Sequence, residues 1–557
     1  MRIGRAPAGR VPDDRPPADA HSAGRPPAGR RERGAALLRS PWGRGAAALL
    51  AGALPALAFP EPSLGWFAYV ALVPWLLLIR SAPTPHRAAL DGWLGGTGFV
   101  IAVHHWLLPN LHVFIVVLAA LLGLLWAPWG LLVARLLGGS PSALRCAAAV
   151  AAVPSGWLMI ELVRSWEGLG GPWGLLGASQ WDFAPALRVA SVGGVWLVSL
   201  LVLAVNTAVV LLLVSPPART TAAASLVVCA LAVGAVWTWA PQPERTGQVR
   251  IAVVQPGVVE GTDSVQRRLA RSAELTRGLA GRDVDLVVWG ESSVGVDLTG
   301  SPATAARIAE LSRRVGAEVL VNTDARQTDA AERTGIFKSA VLVGPDGPTG
   351  DRYDKMRLVP FGEYIPFRSM LGWATSVGKA AGEDRLRGTR QVVMDLPGAD
   401  GPRLGPLVCF ESAFPDMSRQ LVRDGAQVLI AQSSTSTFQH SWAPGQHASL
   451  GALRAAESGR PMVHATLTGT SAVYGPQGER VGSPLGTHAS TAAVYDVPLA
   501  TGTTLYVRLG DWAVYAALAL LAALGASEGT RLLRRPAPGR PVPLARTAHG
   551  SPERPGR

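Results

Sequence analysis

Residues 407–412 read Leu-Val-Cys-Phe-Glu-Ser, and they close an apolar run, Arg403 to Val408, that is typical of a buried strand. Cys409 stands where this strand ends, and a helix-like segment follows to about Arg423. A thiol at a strand-to-helix turn is exposed at the edge of a sheet, and a helix N-terminus that faces it lowers its pKa. A lone cysteine is more often a small buried hydrophobe, so its interpretation as a nucleophile depends on companions elsewhere in the chain.

Two other stretches supply those companions. The segment 288–292, Val-Trp-Gly-Glu-Ser, is an apolar strand that ends in the carboxylate of Glu291. Such a carboxylate can have a raised pKa and accept the thiol proton, which makes Glu291 the candidate base. Lys355, in the segment 353–363, is the candidate for stabilising a tetrahedral oxyanion, helped by the backbone N–H of Phe410. Taken alone, Glu291 would be interpreted as a surface acid, and Lys355 would be interpreted as a solvated lysine in a loop.

Lysine is rare in this chain. Lys338, Lys355 and Lys379 are the only lysines among 52 Lys and Arg residues. An amine is compact and its pKa shifts readily, which a guanidinium does not offer, so a lysine at 355 indicates a functional position. Glu363 and Glu411 either orient Lys355 or fix its loop electrostatically, and ordinary salt bridging explains them equally well from the sequence.

The composition indicates a membrane protein. Of the 557 residues 48% are hydrophobic and only 16% are charged, and the mean hydropathy is +0.23. The net charge of +13 could indicate nucleic-acid binding, but much of the basic excess lies in the two tails, so we attribute it to orientation in a membrane. Three cysteines exclude a disulfide framework, and no Cys/His cluster has metal-ligand spacing.

Apolar segments predict about eight membrane spans. Arginines at alternate ends of these segments fall on one side, which by the positive-inside rule places both tails in the cytoplasm and the block 241–510 outside. The first two segments are short for a bilayer, which needs ~20 residues. The predicted spans are 45–59, 64–80, 88–108, 111–136, 144–163, 191–214, 222–240 and 511–527.

The outer block has a different pattern, in which short β-rich runs alternate with helical ones. This alternation predicts an α/β layered domain, and no internal repeat is visible. The predicted strands are Val249–Val254, Val284–Trp289, Glu318–Asn322, Ser339–Val343, Val392–Leu396, Arg403–Val408, Gln427–Ala431 and Met462–Ala465. The predicted domains are a disordered basic tail at 1–45, a transmembrane domain at 46–240, a catalytic domain at 241–502, a final span at 503–528 and a second disordered basic tail at 529–557.

These features together resemble the apolipoprotein N-acyltransferases, membrane-bound members of the nitrilase superfamily. The most specific stretch is Tyr-Asp-Lys-Met-Arg-Leu-Val-Pro-Phe-Gly-Glu-Tyr-Ile-Pro at 353–366, and Cys-Phe-Glu at 409–411 is similar too. Trp157, Glu161 and Arg164, at helical spacing on one span, carry the resemblance in the membrane part.

The resemblance implies a nitrilase-like αββα sandwich with a catalytic triad of Glu291, Lys355 and Cys409, and supporting roles for Glu363, Phe410 and Glu411. It also implies a ping-pong reaction without a cofactor, metal or nucleic acid. The acyl donor would be a phospholipid such as phosphatidylethanolamine, and the acceptor the α-amine of the diacylglyceryl-cysteine of an apolipoprotein. The enzyme would lie in the bacterial plasma membrane with its catalytic domain outside the cytoplasm.

The chain departs from the family pattern around the site. The family has Trp-Pro-Glu where this chain has Gly290, an asparagine where it has Lys338, and a tyrosine where it has Phe410. An arginine and an asparagine are replaced by His464 and Leu467, and residues 433–438 also differ. We expect these departures to affect lipid binding more than the chemistry.

Two other functions use the same residues. A membrane-tethered nitrilase-type amidase or hydrolase would pass the acyl group to water. A degenerate membrane scaffold would have no activity, which the intact Glu291, Lys355 and Cys409 argue against. A hydrophobic loop beside Cys409 would favour the lipid enzyme, and Trp373 between Met370 and Val377 hints at one.

Overall fold

The computed structural model describes residues 38, 40–214, 218–329, 332–372, 382–398 and 401–533. Its first part is helical. The helices are α1 (Pro41–Ala53), α2 (Val73–Arg80), α3 (Pro85–His104), α4 (Phe114–Gly123), α5 (Trp126–Leu137), α6 (Ala143–Arg164), α7 (Ala184–Val214) and α8 (Arg219–Trp239). Most of both tail segments lies outside the described residues, as does the loop around Trp373.

Each of the eight predicted spans falls on helix. Within the described residues, α6, α7, α8 and the last helix are long and apolar enough to cross a membrane, and α4 with α5, bent by 42°, makes a fifth if the pair is one span. Helix α1 continues only as a short 3-10 turn, Leu54–Ala58. Length and composition therefore support several spans, but not all eight.

Tryptophans form the centre of the helical part. Trp75 and Trp157 lie with ring centroids 5.8 Å apart, and Trp126 and Trp157 are 5.2 Å apart. Glycines on α3 make room for these rings, since a Cβ at Gly95 would lie 2.1 Å from the Trp75 ring and one at Gly96 2.7 Å from Trp126. The small residues of α3 therefore permit close packing of large aromatic side chains.

Helix α7 is broken near its middle. Gly193 and Gly194 leave the helical conformation, with Gly194 at φ 68°. The break frees the N–H of Val195, which donates to Glu457 Oε1 at 2.7 Å. A carboxylate of the α/β domain therefore caps the second half of a membrane helix.

The second part is an α/β sandwich of two six-stranded sheets. The first has the strand order β12-β1-β2-β3-β4-β5 and the second β11-β10-β9-β8-β7-β6. The strands of the first sheet are β1 (Glu244–Gln255), β2 (Leu286–Trp289), β3 (Glu318–Thr328), β4 (Thr334–Gly344), β5 (Gly347–Asp354) and β12 (Thr491–Thr501). Those of the second are β6 (Met394–Asp395), β7 (Arg403–Val408), β8 (Val428–Ser433), β9 (Met462–Thr466), β10 (Ser471–Tyr474) and β11 (Arg480–Leu485).

Helices cover the outer face of each sheet. They are α9 (Ser264–Arg277) and α10 (Pro302–Val315) on the first sheet, and α11 (Pro415–Arg423) and α12 (Ala443–Ser458) on the second. The short α13 (Leu505–Leu509) then leads to α14 (Trp512–Leu533). The predicted αββα layering of the α/β domain is therefore confirmed.

The two sheets repeat one pattern. In the first, β12 pairs antiparallel with β1, β1 to β3 are parallel, and β4 and β5 follow antiparallel. In the second, β6 pairs antiparallel with β7, β7 to β9 are parallel, and β10 and β11 follow antiparallel. The chain thus contains a structural repeat that its sequence does not show.

Candidate active site

Three strand ends bring the predicted triad together. Cys409 follows β7 directly and has φ 52°, a left-handed conformation that turns the chain sharply out of the strand. Glu291 lies two residues after β2 and is 3% exposed. Lys355 follows β5, is 1% exposed, and its N–H donates to the carbonyl of Lys338 on β4 at 2.9 Å.

Charge-assisted hydrogen bonds connect these side chains. Lys355 Nζ lies 3.3 Å from Glu291 Oε1 and 2.7 Å from Glu363 Oε1. The second carboxylate oxygen of Glu363 accepts from the N–H of Val359 at 2.8 Å. The thiol of Cys409 lies near the Glu291 carboxylate, and the two groups interact electrostatically. Glu363 thus contacts both Lys355 and the backbone of its loop, so the geometry is consistent with both roles considered for this residue.

Two pKa directions differ from those expected from the sequence. Burial and the neighbouring Glu291 carboxylate raise the pKa of the Cys409 thiol to about 12, where a helix N-terminus was expected to lower it. Burial raises the pKa of Glu291, but the ammonium groups of Lys338 and Lys355 outweigh it and hold that pKa at about 2, so the expected rise was wrong. The resting pair is therefore a neutral thiol beside an ionised carboxylate.

Lys338 is part of the same cluster. Its Nζ donates to Glu291 Oε1 at 2.9 Å and to Ser292 Oγ at 3.2 Å. It also lies 3.5 Å from Glu363 Oε1 and 3.8 Å from Asp324 Oδ2. From the sequence, Lys338 was noted only as a departure from the family pattern, although the scarcity of lysine that indicates a functional position for Lys355 applies to it equally.

Glu411 fixes the loop that carries Lys355. Its fully buried carboxylate accepts from Tyr353 Oη at 2.7 Å, from the N–H groups of Met356 at 2.7 Å and Arg357 at 3.0 Å, and from the N–H of Val408 at 2.8 Å. These donors flank Lys355 and Cys409 in the sequence. The side chain of Glu411 therefore fixes the position of the Lys355 ammonium relative to the Cys409 thiol. Fixing the loop is thus the role that the geometry supports for Glu411.

A histidine without a predicted role, His447, lies behind Cys409. His447 Nε2 is 3.1 Å from the carbonyl oxygen of Cys409 and 3.1 Å from Ser412 Oγ. Burial lowers the pKa of His447 to about 4, so the ring is neutral at physiological pH. Its neighbour His464, with ring centroids 4.7 Å apart, is buried and finds no hydrogen-bond partner among the described residues. Nothing in the spacing of these residues along the chain predicts their contact.

A cavity of about 250 Å³ opens beside the thiol. Its lining includes Cys409, Phe410 and Phe438 of the α/β domain, together with apolar side chains of the helical part. The latter are Val100, Leu107, Leu111, Ile115, Leu118 and Leu122. Arg164 also lines it, buried, and within the described residues its Nε and Nη1 have no hydrogen-bond partner. The site thus offers an apolar space with one cation beside a nucleophile.

The remaining predicted residues are structural. Trp157 Nε1 donates to Glu161 Oε1 at 2.9 Å, and the same oxygen accepts from the N–H of Leu176 at 2.6 Å. Arg454 and Glu457, three residues apart on α12, form a buried ion pair of 2.9 Å.

One of the departures, Gly290, lies against the backbone of another, Leu467. A Cβ at Gly290 would lie 1.9 Å from the backbone nitrogen of Leu467. Both Glu291 and Leu467 donate their N–H groups to the carbonyl of Ser433, at 3.1 and 2.8 Å. The backbone at 467 therefore occupies the space that any side chain at 290 would need, and Gly290 allows it.

Comparisons with known proteins agree with this architecture. The family model "Carbon-nitrogen hydrolase" matches residues 250–505, and "Apolipoprotein N-acyltransferase N-terminal domain" matches residues 51–208. A solved amidase from Nesterenkonia sp. is 20% identical with a TM-score of 0.32, over 46% of this chain and 93% of the amidase.

Similar proteins of full length are also known. The apolipoprotein N-acyltransferase of Geobacter metallireducens is 30% identical over 86% of this chain and 94% of its own length. That of Azotobacter vinelandii is 30% identical over 92% and 99%. With both family models and such relatives along most of its length, the chain belongs to the apolipoprotein N-acyltransferase family of the nitrilase superfamily.

Proposed function

We propose that the protein moves an acyl chain from a phospholipid to the α-amine of an N-terminal diacylglyceryl-cysteine, through a thioester on Cys409. The observation that carries this proposal is the cavity that joins the Cys409 thiol to apolar side chains of α3 and α4. An acyl chain is the substrate class that such a lining favours, because burying its methylene groups contributes about 0.8 kcal/mol each.

The first half-reaction loads the thiol. Glu291 takes the proton of Cys409 Sγ as the sulfur attacks the ester carbonyl carbon. The carbonyl oxygen becomes an oxyanion, which Lys355 and the N–H of Phe410 stabilise. As the tetrahedral intermediate collapses, the C–O bond breaks, Glu291 returns the proton to the glycerol oxygen, and a lysophospholipid leaves. A thioester remains on Cys409.

The second half-reaction uses the same groups. The neutral α-amine of the lipopeptide attacks the thioester carbonyl and gives a proton to Glu291. The C–S bond breaks, and the thiol of Cys409 is restored by that proton. The activation of the original ester is thus retained in the thioester, so the chemistry needs no additional energy source.

Arg164 supports a phospholipid as the donor. Its guanidinium is buried in the lining of the cavity with two nitrogens free of partners among the described residues. A guanidinium in this state suits the phosphodiester of a lipid headgroup, such as that of phosphatidylethanolamine. The cavity therefore offers separate surfaces for the acyl chain and the phosphate.

The orientation in the membrane follows from charge. With about eight spans, both termini lie in the cytoplasm and the α/β domain lies outside the plasma membrane. The alternation of arginine-rich ends supports this arrangement. It also places the thiol on the side where a lipoprotein presents its lipidated cysteine after export.

A labelled-donor assay tests the function. The purified protein is incubated with phosphatidylethanolamine that carries a deuterated acyl chain and with a diacylglyceryl-cysteine peptide. We expect the labelled chain on the peptide amine, and none on a control peptide whose amine is acetylated. Labelled free fatty acid with an unmodified peptide would instead identify a hydrolase.

A further inference from the structure

The ammonium groups of Lys338 and Lys355 both contact the carboxylates of Glu291 and Glu363. The shortest contact of each ammonium group is with a different carboxylate. Lys338 Nζ lies 2.9 Å from Glu291 Oε1, whereas Lys355 Nζ lies 3.3 Å from the same oxygen. The shortest contact of Lys355 is to Glu363, at 2.7 Å. Glu291 therefore has Lys338 as its principal partner, and Lys355 is principally bound to Glu363.

The position of Lys338 is fixed by its strand. Lys338 on β4 is directly opposite Asp324 on β3, and the side chains approach to 3.8 Å. Ser292 Oγ accepts from Lys338 at 3.2 Å and donates to Asp324 at 3.3 Å. The carbonyl of Lys338 also accepts the N–H of Lys355 at 2.9 Å. The ammonium is thus held from two sides and points to Glu291.

The charges around this ammonium come from four elements. Glu291 and Ser292 follow β2, Asp324 belongs to β3, Lys355 and Glu363 follow β5, and the Cys409 thiol follows β7. Beyond them Arg385 lies 3.6 Å from Asp324, which Arg268 also faces. The ammonium groups of Lys338 and Lys355 therefore neutralise the carboxylates of Glu291 and Glu363. The neighbouring arginines neutralise the carboxylate of Asp324.

We propose that Lys338 is a positioning residue of this enzyme, which keeps Glu291 ionised and aligned so that Lys355 is free to serve the oxyanion. The proposal rests on the roles given above to Glu291, Lys355 and Cys409. With a single lysine, the same ammonium would have to neutralise two carboxylates and the oxyanion. With Lys338 present, neither carboxylate loses its counter-charge when Lys355 turns towards the substrate.

The proposal predicts an unusual tolerance of acid. Opposite charges within about 4–6 Å favour the ionised form of a carboxylate and lower its pKa by about 1–3 units. Removing the ammonium of Lys338 raises the pKa of Glu291, so protons inactivate the base at a higher pH. A side chain with a purely structural role would change the rate at every pH alike.

The test is the single-turnover rate of thioester formation from phosphatidylethanolamine, measured by quenching and mass spectrometry between about pH 3 and about pH 8. This half-reaction does not involve the lipopeptide amine, whose titration would obscure that of Glu291. For the wild type, in which the pKa of Glu291 is about 2, we expect a rate that is nearly constant over this range. For Lys338→Asn we expect the midpoint of the acid limb to lie about 1–3 units higher, so that the rate at about pH 3 is half or less of the variant's own rate at pH 8.

Two variants serve as controls. Lys338→Arg keeps a cation and should keep the flat profile. Arg326→Gln removes one positive charge from β3, where Arg326 is 57% exposed and pairs with Glu383 at 2.5 Å, and should also leave the profile flat.

Two results would overturn the role of Lys338. One is a flat profile for Lys338→Asn, whatever its absolute rate. The other is inactivity of this variant even at pH 8, since Glu291 without Lys338 is still ionised there. Failure of the underlying mechanism would be seen separately, as a wild type that forms no adduct or a Cys409→Ala variant that still forms one.

Discussion

Cys409 is held as a neutral thiol until a substrate arrives. Burial and Glu291 raise its pKa to about 12, and two ammonium groups keep Glu291 ionised with a pKa of about 2. In the proposed mechanism, the thiolate therefore forms only as Glu291 takes the proton during attack on an ester. A resting thiol of this kind is a poor target for oxidants and disulfides, because the thiolate is the reactive species.

We expect loss of transfer when any member of the triad is removed. Cys409→Ala removes the nucleophile, Glu291→Gln the base and Lys355→Ala the cation of the oxyanion. General base and oxyanion contributions are each about 10² to 10⁴ in rate, so all three variants should fall below about 1% of wild type. The measurement is the amount of acylated lipopeptide at equal protein.

The other two thiols are matched controls. Cys146 is buried in α6 and Cys229 lies on α8, away from the triad in sequence and fold. Cys146→Ala and Cys229→Ala should retain activity within about twofold. Transfer by Cys409→Ala would exclude this thiol as the acyl carrier.

The sequence predicted that Glu291, Lys355 and Cys409 would lie together, but not their electrostatics. Glu291, Lys355 and Cys409 each follow an apolar strand or lie in a recognisable motif, so their proximity could be anticipated. The pKa directions could not, because they depend on which charges lie within a few ångströms. Lys338 is 47 residues from Glu291 along the chain, and only the pairing of β3 with β4 brings it there.

Among the elements, the turn after β2 depends on a glycine. A methyl group at position 290 would overlap the backbone nitrogen of Leu467, which lies 1.9 Å from the ideal Cβ. Gly290→Ala must displace either the end of β9 or Glu291, and small displacements of a catalytic base cost about a hundredfold in rate. We expect such a loss of transfer activity together with a lower apparent Tm.

Gly247 on β1 is the control for this substitution. No atom lies within 4 Å of an ideal Cβ there. Gly247→Ala should therefore leave activity and Tm close to wild type, and equal behaviour of the two variants would contradict the crowding at 290.

The buried carboxylate of Glu457 joins the two parts of the molecule. Glu457 on α12 accepts from Val195 at the break in α7 and pairs with Arg454, which is 1% exposed. Glu457→Leu leaves a guanidinium buried without its partner, which costs about 3–5 kcal/mol. We expect a clear fall in apparent Tm in detergent, and recovery of most of it in the double variant Arg454→Met/Glu457→Leu.

The exposed pair Arg245–Glu479, at 2.7 Å, provides the comparison. Its side chains are 64% and 37% exposed, so Glu479→Leu should change stability by at most about 1 kcal/mol. If the buried and exposed pairs behave alike, the join between α12 and α7 does not depend on Glu457.

Strand prediction succeeded where apolar residues are continuous. All eight predicted strands overlap observed ones, among them the buried β7, which matches at both ends. The strands β5, β10, β11 and β12 were not predicted. β11, Arg480–Leu485, is largely exposed, and β5, Gly347–Asp354, contains few apolar residues, so neither has a periodic apolar pattern to detect. Their places are fixed by pairing with neighbours.

For the whole molecule, the main prediction concerns its orientation in the membrane. Ala306 is exposed on α10 of the α/β domain, and Ser551 belongs to the carboxyl-terminal tail. In a background with Cys146→Ala and Cys229→Ala, we expect A306C to react with a membrane-impermeant maleimide on intact spheroplasts. S551C should react only after permeabilisation. The reverse pattern would place the domain in the cytoplasm and exclude the proposed acceptor.

One buried core runs from the helical part into the sandwich, and a second lies between the first sheet and helices α9 and α10. The cavity beside Cys409 is lined from both parts, with Phe438 from the sandwich and Leu118 from the helical part. Sequence could anticipate that both parts exist. It could not show that a membrane helix completes the lining around the thiol.

The most direct measurement is the intact mass of the detergent-purified protein after incubation with phosphatidylethanolamine alone. We expect the wild type to gain the mass of one acyl chain, Cys409→Ala to gain none, and the adduct to disappear when a diacylglyceryl-cysteine peptide is added and becomes N-acylated. An unmodified wild type, an adduct that persists in Cys409→Ala, or an adduct that water clears and the peptide does not would contradict acyl transfer through Cys409.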